Sequence, residues 1–282
     1  MRGLNIEKKL EYKVAMVQMD TGNDWEKNLE FAEQTARKAA RQGARLVCYP
    51  ERMNVQMGDG SDRDKAEELD GITFQTLKKV AQEEQIYIHC GSILERIEGE
   101  ERCYNTSLFI SPQGEMLAKY RKMHTFDVAL PDGVICAESD NVKPGDDIVV
   151  IDTELGKIGF AICYDIRFPE LFRKMALMGA QIILVAASFT ETTGRDHWEP
   201  ILRARAIENE VYILAINQTG QKSKFMAHGN SMLIDPWGRV VAKAEQEQSI
   251  VYGTVDIDYE ETVRKQIPCL KNRRSDCYGV NP

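Results

Sequence analysis

Two hydrophobic rhythms run along the chain. Short, nearly continuous apolar runs bounded by polar turns predict strands at YKVAMVQM (12–19), LVCYPE (46–51) and IYIHCGSI (86–93). Between the first two, the spacing of Trp25, Leu29, Phe31, Ala32 and Ala36 predicts a helix that Asn23 or Asp24 caps and Gly43 stops; another helix is expected near 72–85. The pattern then turns to hairpins, because YNTSLFI and EMLAKYRK flank SPQG, and DIVVID and KIGFAIC flank TELG. Alternation resumes with a helix opened by Pro169 and stopped by Gly179, the strand QIILVAA, a loop, a helix from about His197 to Glu208 and the strand VYILAIN. NSMLIDPWGRVVAKA and SIVYGTVDI complete a mixed α/β pattern.

One stretch of this pattern echoes another. Ser107, Ile110, Pro112, Gly114, Ala118 and Lys119 recur at a constant offset of 124 as Ser231, Ile234, Pro236, Gly238, Ala242 and Lys243. Turn chemistry favours Pro and Gly in any hairpin, which is one account of the echo. The other is a true repeat: two similar sheets packed face to face with helices outside, in a single domain spanning 1–282.

Composition narrows the function classes. With 282 residues, 43% of them hydrophobic, the chain is long enough for a large core. A net charge of −8 and basic clusters no longer than KNRR (271–274) argue against nucleic acid as a partner. No apolar run approaches the ~20 residues of a membrane span, and MRGLNIEKKLEY lacks the apolar core of a signal peptide, so a cytoplasmic protein without a membrane partner is expected. Seven cysteines without CxxC spacing read as reduced thiols, and four histidines without HExxH or HxxxH spacing give no metal site.

The stretch GFAICYDIRFPELF (159–172) carries the strongest chemical signal. A cysteine at a strand end is ordinarily a small buried hydrophobe. At a strand-to-helix turn, however, Cys163 sits near unpaired backbone N–H groups, which stabilise both a thiolate and an oxyanion. A free thiol has a pKa of ~8.5, so a nucleophile there needs a base or a cation beside it. His89, His124, His197 and His228 are candidate bases, and spacing selects none of them. Glu51 ends an apolar strand at YPE, where a carboxylate is poised if strands 46–51 and 157–163 are neighbours; Lys122 ends a hairpin strand in KYRKMH. Each, taken alone, reads as an ordinary surface charge.

Taken together, YPE (49–51), YRKMHTF (120–126) and ICYDIRFPEL (162–171) resemble, in order and spacing, the glutamate, lysine and cysteine motifs of the nitrilase, or carbon–nitrogen hydrolase, superfamily. AESDNVKPGD (137–146) is similar to its second glutamate segment, and TTGRDHWEPILRARAIEN (192–209) extends the likeness over nearly the whole chain. YRKMHTFD, CYDIRFPEL and TTGRDHW resemble most the branch containing ω-amidase and deaminated glutathione amidase; Tyr49, Thr125 and Arg195-Asp196 depart from its pattern, the last pair in a substrate loop.

The resemblance implies a four-layer α-β-β-α sandwich. It also implies Cys163 as nucleophile, Glu51 as general base, Lys122 as cationic stabiliser and Glu138 as a second carboxylate. Tyr164, Ser188, Phe189, Arg195 and His197 are the substrate-binding candidates that follow, with Arg195 set to meet a substrate carboxylate. Asp165 and Arg167 are expected to hold the nucleophile turn. The implied reaction is hydrolysis of a small carboxylate-bearing amide through a cysteine thioester, without cofactor or metal. An N-carbamoyl amino acid hydrolase or a nitrilase would use the same residues, and an idle scaffold on the same fold is the alternative of another class. A homodimer or larger assembly is expected, with the tail from about Tyr259 packing on a neighbour.

Overall fold

The first apolar run forms β1 (Glu11–Gln18), and its alternation sets the layers. Val14 and Met16 enter the core shared with Phe160 and Ile183, whereas Ala15 and Val17 pack under helices with Leu29, Ala32 and Leu77. A computed structural model describes residues 10–56, 62–130 and 135–278.

After β1 come α1 (Trp25–Arg41), β2 (Ala44–Cys48), α2 (Ile72–Glu84), β3 (Tyr87–His89), β4 (Ile93–Arg96), β5 (Cys103–Ile110) and β6 (Met116–Arg121). A small hairpin of β7 (Asp127–Ala129) and β8 (Ile135–Ala137) leads to β9 (Val150–Thr153) and β10 (Gly156–Ile162). Then follow α3 (Pro169–Leu177), β11 (Ile182–Ala187), α4 (Glu191–Asn209), β12 (Tyr212–Asn217), a second small hairpin of β13 (Thr219–Gln221) and β14 (Met226–His228), β15 (Met232–Ile234), β16 (Val240–Lys243) and β17 (Ser249–Asp256). Helices α5 (Ile257–Gln266) and α6 (Ser275–Tyr278) close the described chain.

Two mixed sheets result. The first runs β17-β1-β2-β3-β5-β4, with β6 also paired to β5, and the second runs β16-β15-β12-β11-β10-β9. Each has three parallel strands at its heart, β1-β2-β3 and β10-β11-β12, with an antiparallel strand on either side. The apolar faces of α1 and α2 cover the first sheet; those of α3 and α4, through Phe172, Met175, Trp198 and Leu202, cover the second. This is a four-layer α-β-β-α sandwich. Each fully buried Ile, Leu or Val in it contributes about 1.5–3 kcal/mol.

The echo at offset 124 is structural. Leu108 pairs with Lys119 and Phe109 with Ala118 before a bulge leads to Ile110–Met116; Met232 pairs with Lys243 and Leu233 with Ala242 before a bulge leads to Ile234–Val240. The turns match as well: Gly114 and Gly238 both adopt positive φ and donate to Ser111 O and Asp235 O at 2.8 Å.

Two elements differ from expectation. The strand expected over 86–93 is split into β3 and β4 at Gly91, whose φ of +59° leaves no room for a side chain, because a Cβ there would lie 1.9 Å from Pro50 O. The helix expected from His197 starts at Glu191: Thr190 caps it by accepting from Thr193 N, and the apparent loop TTG is its first turn. In the segment from 259, Arg264 Nη2 donates to Ala180 O at 2.8 Å and Cys269 N donates to Glu210 Oε1 at 2.7 Å. Among the described residues, no helix is long and apolar enough to cross a membrane.

Candidate active site

Strand ends from both sheets converge on one cavity of about 260 Å³. Glu51 follows β2, where Tyr49 N donates to His89 O and Ser92 N to Pro50 O, tying the chain to the β3–β4 connection. Lys122 follows β6 and is anchored by its own N–H to Asn105 O at 2.8 Å. Glu138 opens a short turn after β8, and Cys163 follows β10. All four side chains line the cavity.

Lys122 Nζ lies 3.0 Å from Glu51 Oε1 and 2.8 Å from Glu138 Oε2. Burial alone works against this ammonium, but Glu138, Glu51 and Cys163 reverse that and hold its pKa above the usual lysine range. Glu138 is buried too, which disfavours its charge; Lys122, Arg52 and a 2.7 Å hydrogen bond from Phe126 N still bring its pKa below the ordinary carboxylate value. Glu51 accepts from Asn105 Nδ2 at 2.8 Å on one oxygen and from Ser188 N at 2.8 Å on the other.

Cys163 has φ of +48°, a left-handed conformation that costs a non-glycine residue about 1 kcal/mol or more. Asp165 stabilises the turn: it accepts from Ile162 N at 2.8 Å, Tyr120 Oη at 2.7 Å and His124 N at 3.1 Å, and its Oδ1 lies 2.7 Å from His124 Nδ1. His124 in turn stacks on Phe168 at 3.6 Å. Burial pushes the Cys163 thiol well above its ordinary pKa, Glu51 adds to this, and Lys122 and the Ser188 backbone oppose it. The resting group is therefore a thiol with a carboxylate hydrogen-bonded beside it.

The remaining candidates separate. Tyr164, Ser188 and Phe189 line the cavity, and Ser188 Oγ is buried there without a hydrogen-bond partner among the described residues. Arg195 and His197 are not in its lining. The Arg195 side chain is 72% exposed on the outside of α4, 2.7 Å from Glu191, and His197 Nδ1 lies 3.2 Å from Arg167 Nη1. None of the four histidines lines the cavity; His89 is buried against Ser107, its pKa pushed down to about 3 by burial. Sequence reasoning missed Arg52, Asn105 and Lys224. Asn105 lies in YNTSLFI, read as a plain strand, and Lys224 in a polar hairpin turn. Among the described residues, no cluster of His, Cys, Asp and Glu is arranged to hold a metal ion.

The family model for carbon-nitrogen hydrolases matches residues 13–265. The chain belongs to the carbon-nitrogen hydrolase family. Among its relatives in that family, it is 38% identical to omega-amidase NIT2 of Mus musculus, over 95% of this chain and 97% of that one. It is also 38% identical to a deaminated glutathione amidase of Dictyostelium discoideum, over 95% and 96%. Of solved structures, Saccharomyces cerevisiae Nit3, described as a member of branch 10 of the nitrilase superfamily, shares 31% identity with a TM-score of 0.85 over 95% of this chain and 99% of that one. The NitFhit protein of C. elegans shares 34% with a TM-score of 0.90, covering 96% of this chain and 66% of that one. Both superpose on the sandwich described above over nearly the whole of this chain.

Proposed function

We propose that the protein hydrolyses a small amide carrying a carboxylate at its far end, of the ω-amic acid type, through a thioester on Cys163. The observation that carries this reading is the contact of Lys122 with both Glu51 and Glu138 in the cavity that Cys163 enters from the other sheet. Likeness to an omega-amidase and a deaminated glutathione amidase supports the substrate class.

The steps follow from the protonation states. Glu51 takes the thiol proton as Cys163 sulfur attacks the amide carbon, so charge moves from carboxylate to sulfur to carbonyl oxygen. That oxyanion meets the Lys122 ammonium and the Tyr164 N–H; losing one such donor typically costs ~3 kcal/mol of barrier. The protonated Glu51 then delivers its proton to the departing amine, leaving a thioester and a carboxylate. Glu51 next draws a proton from water, whose oxygen attacks the thioester, and returns it to sulfur. The acid leaves, and Cys163 is again a thiol beside the Glu51 carboxylate.

In the cavity lining, Phe126, Tyr164, Phe189 and Phe225 supply apolar walls and Lys224 an exposed cation. With Arg195 on the outside of α4, Lys224 is the residue that meets the substrate carboxylate. Ammonia release from succinamate, compared with its methyl ester, a nitrile and an N-carbamoyl amino acid, tests the reading. Succinamate is expected to exceed the ester by roughly thirtyfold in kcat/KM, equivalent to about 2 kcal/mol for a partly desolvated ion pair. Lys224→Ala is expected to shrink that ratio through KM, and Arg195→Ala to leave it. Faster turnover of the nitrile or the carbamoyl compound would move the reaction class while leaving Cys163 as nucleophile.

A further inference from the structure

Arg52, the residue after Glu51, does something unusual for an arginine beside a turn. Its φ is +53°, its N–H donates to Ser92 Oγ at 2.9 Å, and its guanidinium turns inward to line the cavity. There it forks on Asp62, Nη1 to Oδ1 at 3.1 Å and Nη2 to Oδ2 at 2.9 Å. The same Nη2 lies 3.7 Å from Glu138 Oε1, on the oxygen that also faces Lys122 at 3.1 Å. Two cations, Lys122 and Arg52, thus alternate with three carboxylates, Glu51, Glu138 and Asp62, in one buried array.

A guanidinium committed in this way is poorly placed to bind a substrate carboxylate, because a bidentate partner already holds it. Its consequence runs through Glu138. We infer that Arg52 is a positioning residue of the hydrolytic site: forked on Asp62, it fixes Glu138 against Lys122 so that Lys122 is shared between two carboxylates and Glu51 stays free to take a proton. The inference rests on the function proposed above.

The charged and titratable groups around Glu138 are Lys122 at the end of β6, Arg52 after β2, Cys136 on β8 and Cys103 at the start of β5; Glu51 lies beyond Lys122 and Asp62 beyond Arg52. Of these, only Lys122 and Arg52 favour the charged form of Glu138. Without Arg52, Glu138 takes up a proton at higher pH. With Glu138 neutral, Lys122 is left to pair with Glu51 alone, so activity is lost at the pH where Glu138 takes up its proton.

The test compares kcat against pH for the parent, Arg52→Met, Arg52→Lys and Asp62→Asn, with succinamate as substrate. For Arg52→Met, kcat is expected to fall at least about tenfold and its acid limb to move up by about 1 pH unit, with KM within about twofold. Arg52→Lys is expected to restore the limb. Asp62→Asn removes the competing anion from Arg52, so its limb is expected to move the opposite way, and this variant decides the matter if Arg52→Met does not fold. Limbs that move together, or an Arg52→Met that raises KM alone, would overturn the positioning role. Alkylation of Cys163 by iodoacetamide, followed against pH with exposed Cys269 and Cys277 replaced by Ser, reads the same shifts without substrate. A parent inert to every amide would sink the proposed function, while alkylation profiles that do not shift would sink this inference.

Discussion

The backbone N–H of Ser188, at the end of β11 in the second sheet, donates to Glu51 Oε2, at the end of the first sheet's β2, at 2.8 Å. This bond crosses the sandwich. It sets Glu51, the proposed general base, by a peptide group of the sheet that carries Cys163, so the orientation of Glu51 depends on how the sheets are packed. A main-chain donor cannot be removed by a side-chain change, which makes the contact a fixed part of the site.

Cys163→Ala and Cys163→Ser are expected to abolish turnover, by at least about a thousandfold, with Tm changed little. The sulfur is buried but touches the cavity, and relief of its left-handed backbone is not available to Ser or Ala, so stability has no reason to rise. Ammonia release and thermal unfolding check both clauses. Cys48, Cys90 and Cys103 are buried away from the cavity, and Ser at each is expected to retain activity in whatever fraction folds.

Lys122→Met is expected to destabilise more than Glu51→Gln. The first removes the ammonium between two buried carboxylates and leaves only Arg52, 3.7 Å from Glu138, as a cation near them, at a cost of about 3 kcal/mol or more, hence roughly 5–10 °C in Tm at neutral pH. The second sets an amide donor among Asn105, Lys122 and Ser188 donors, at a cost of about 1–3 kcal/mol. Both should lower kcat by at least about a thousandfold. Thermal unfolding in parallel at pH 7 and pH 5 separates them, since protonation of the orphaned carboxylates reduces the Lys122→Met deficit in acid; an equal deficit at both values would count against the charge argument.

Asp165→Asn is expected to lower kcat about ten- to a hundredfold through geometry rather than chemistry. Asp165 accepts from Ile162 N and Tyr120 Oη on one oxygen and from His124 on the other, and Asn can satisfy only one of the two sides. A slower alkylation of Cys163 with unchanged pH dependence is the readout; a shifted pH dependence would instead make Asp165 part of the proton chemistry.

Away from the site, Glu260 on α5 is fully buried beside Arg264, and burial pushes its carboxyl up to about 7 despite that partner. The folded pKa exceeds the unfolded value of about 4.3, so protonation favours the fold and this contribution is lost as pH rises through about 7. Glu260→Gln is therefore expected to raise Tm at pH 8.5 by a margin that closes towards pH 5.5. A margin that widens in acid would refute the assignment.

Sequence made the candidate site legible because Cys163 stands where an apolar strand stops, and Glu51 and Lys122 because each stands just past a strand within a recognisable motif. Strand ends are local and readable. Arg52 was not readable, since only a left-handed turn and a carboxylate ten residues further on bring its guanidinium inward. Arg195 failed for a related reason: TTG looks like a loop, but Thr190 caps a helix there, and an i,i+4 pair with Glu191 carries Arg195 to the outer face. The two hairpins were readable, being marked by the turn residues between their strands, while the break at Gly91 came from a backbone approach that no pattern encodes.

The matched hairpins and the matched order of parallel strands give the molecule two halves of the same plan, and the halves have not kept the same residues at equivalent ends. Glu51 and Ser188, the partners in the 2.8 Å bond, follow the second parallel strand of each half. Cys163 follows the first parallel strand of one half; the residue that follows β1 in the other is Met19. The end of β1, matched in this plan to the end of β10, therefore carries a thioether where the other half carries a thiol. At the end of β1 the polar groups are tied up in hydrogen bonds instead, among them Gln18 Nε2 to Glu245 O at 2.6 Å and Ser231 N to Gln18 Oε1 at 2.9 Å. A molecule doubled in plan is in this way single in chemistry, and grafting Cys at position 19 would add a thiol with no glutamate and lysine placed to use it.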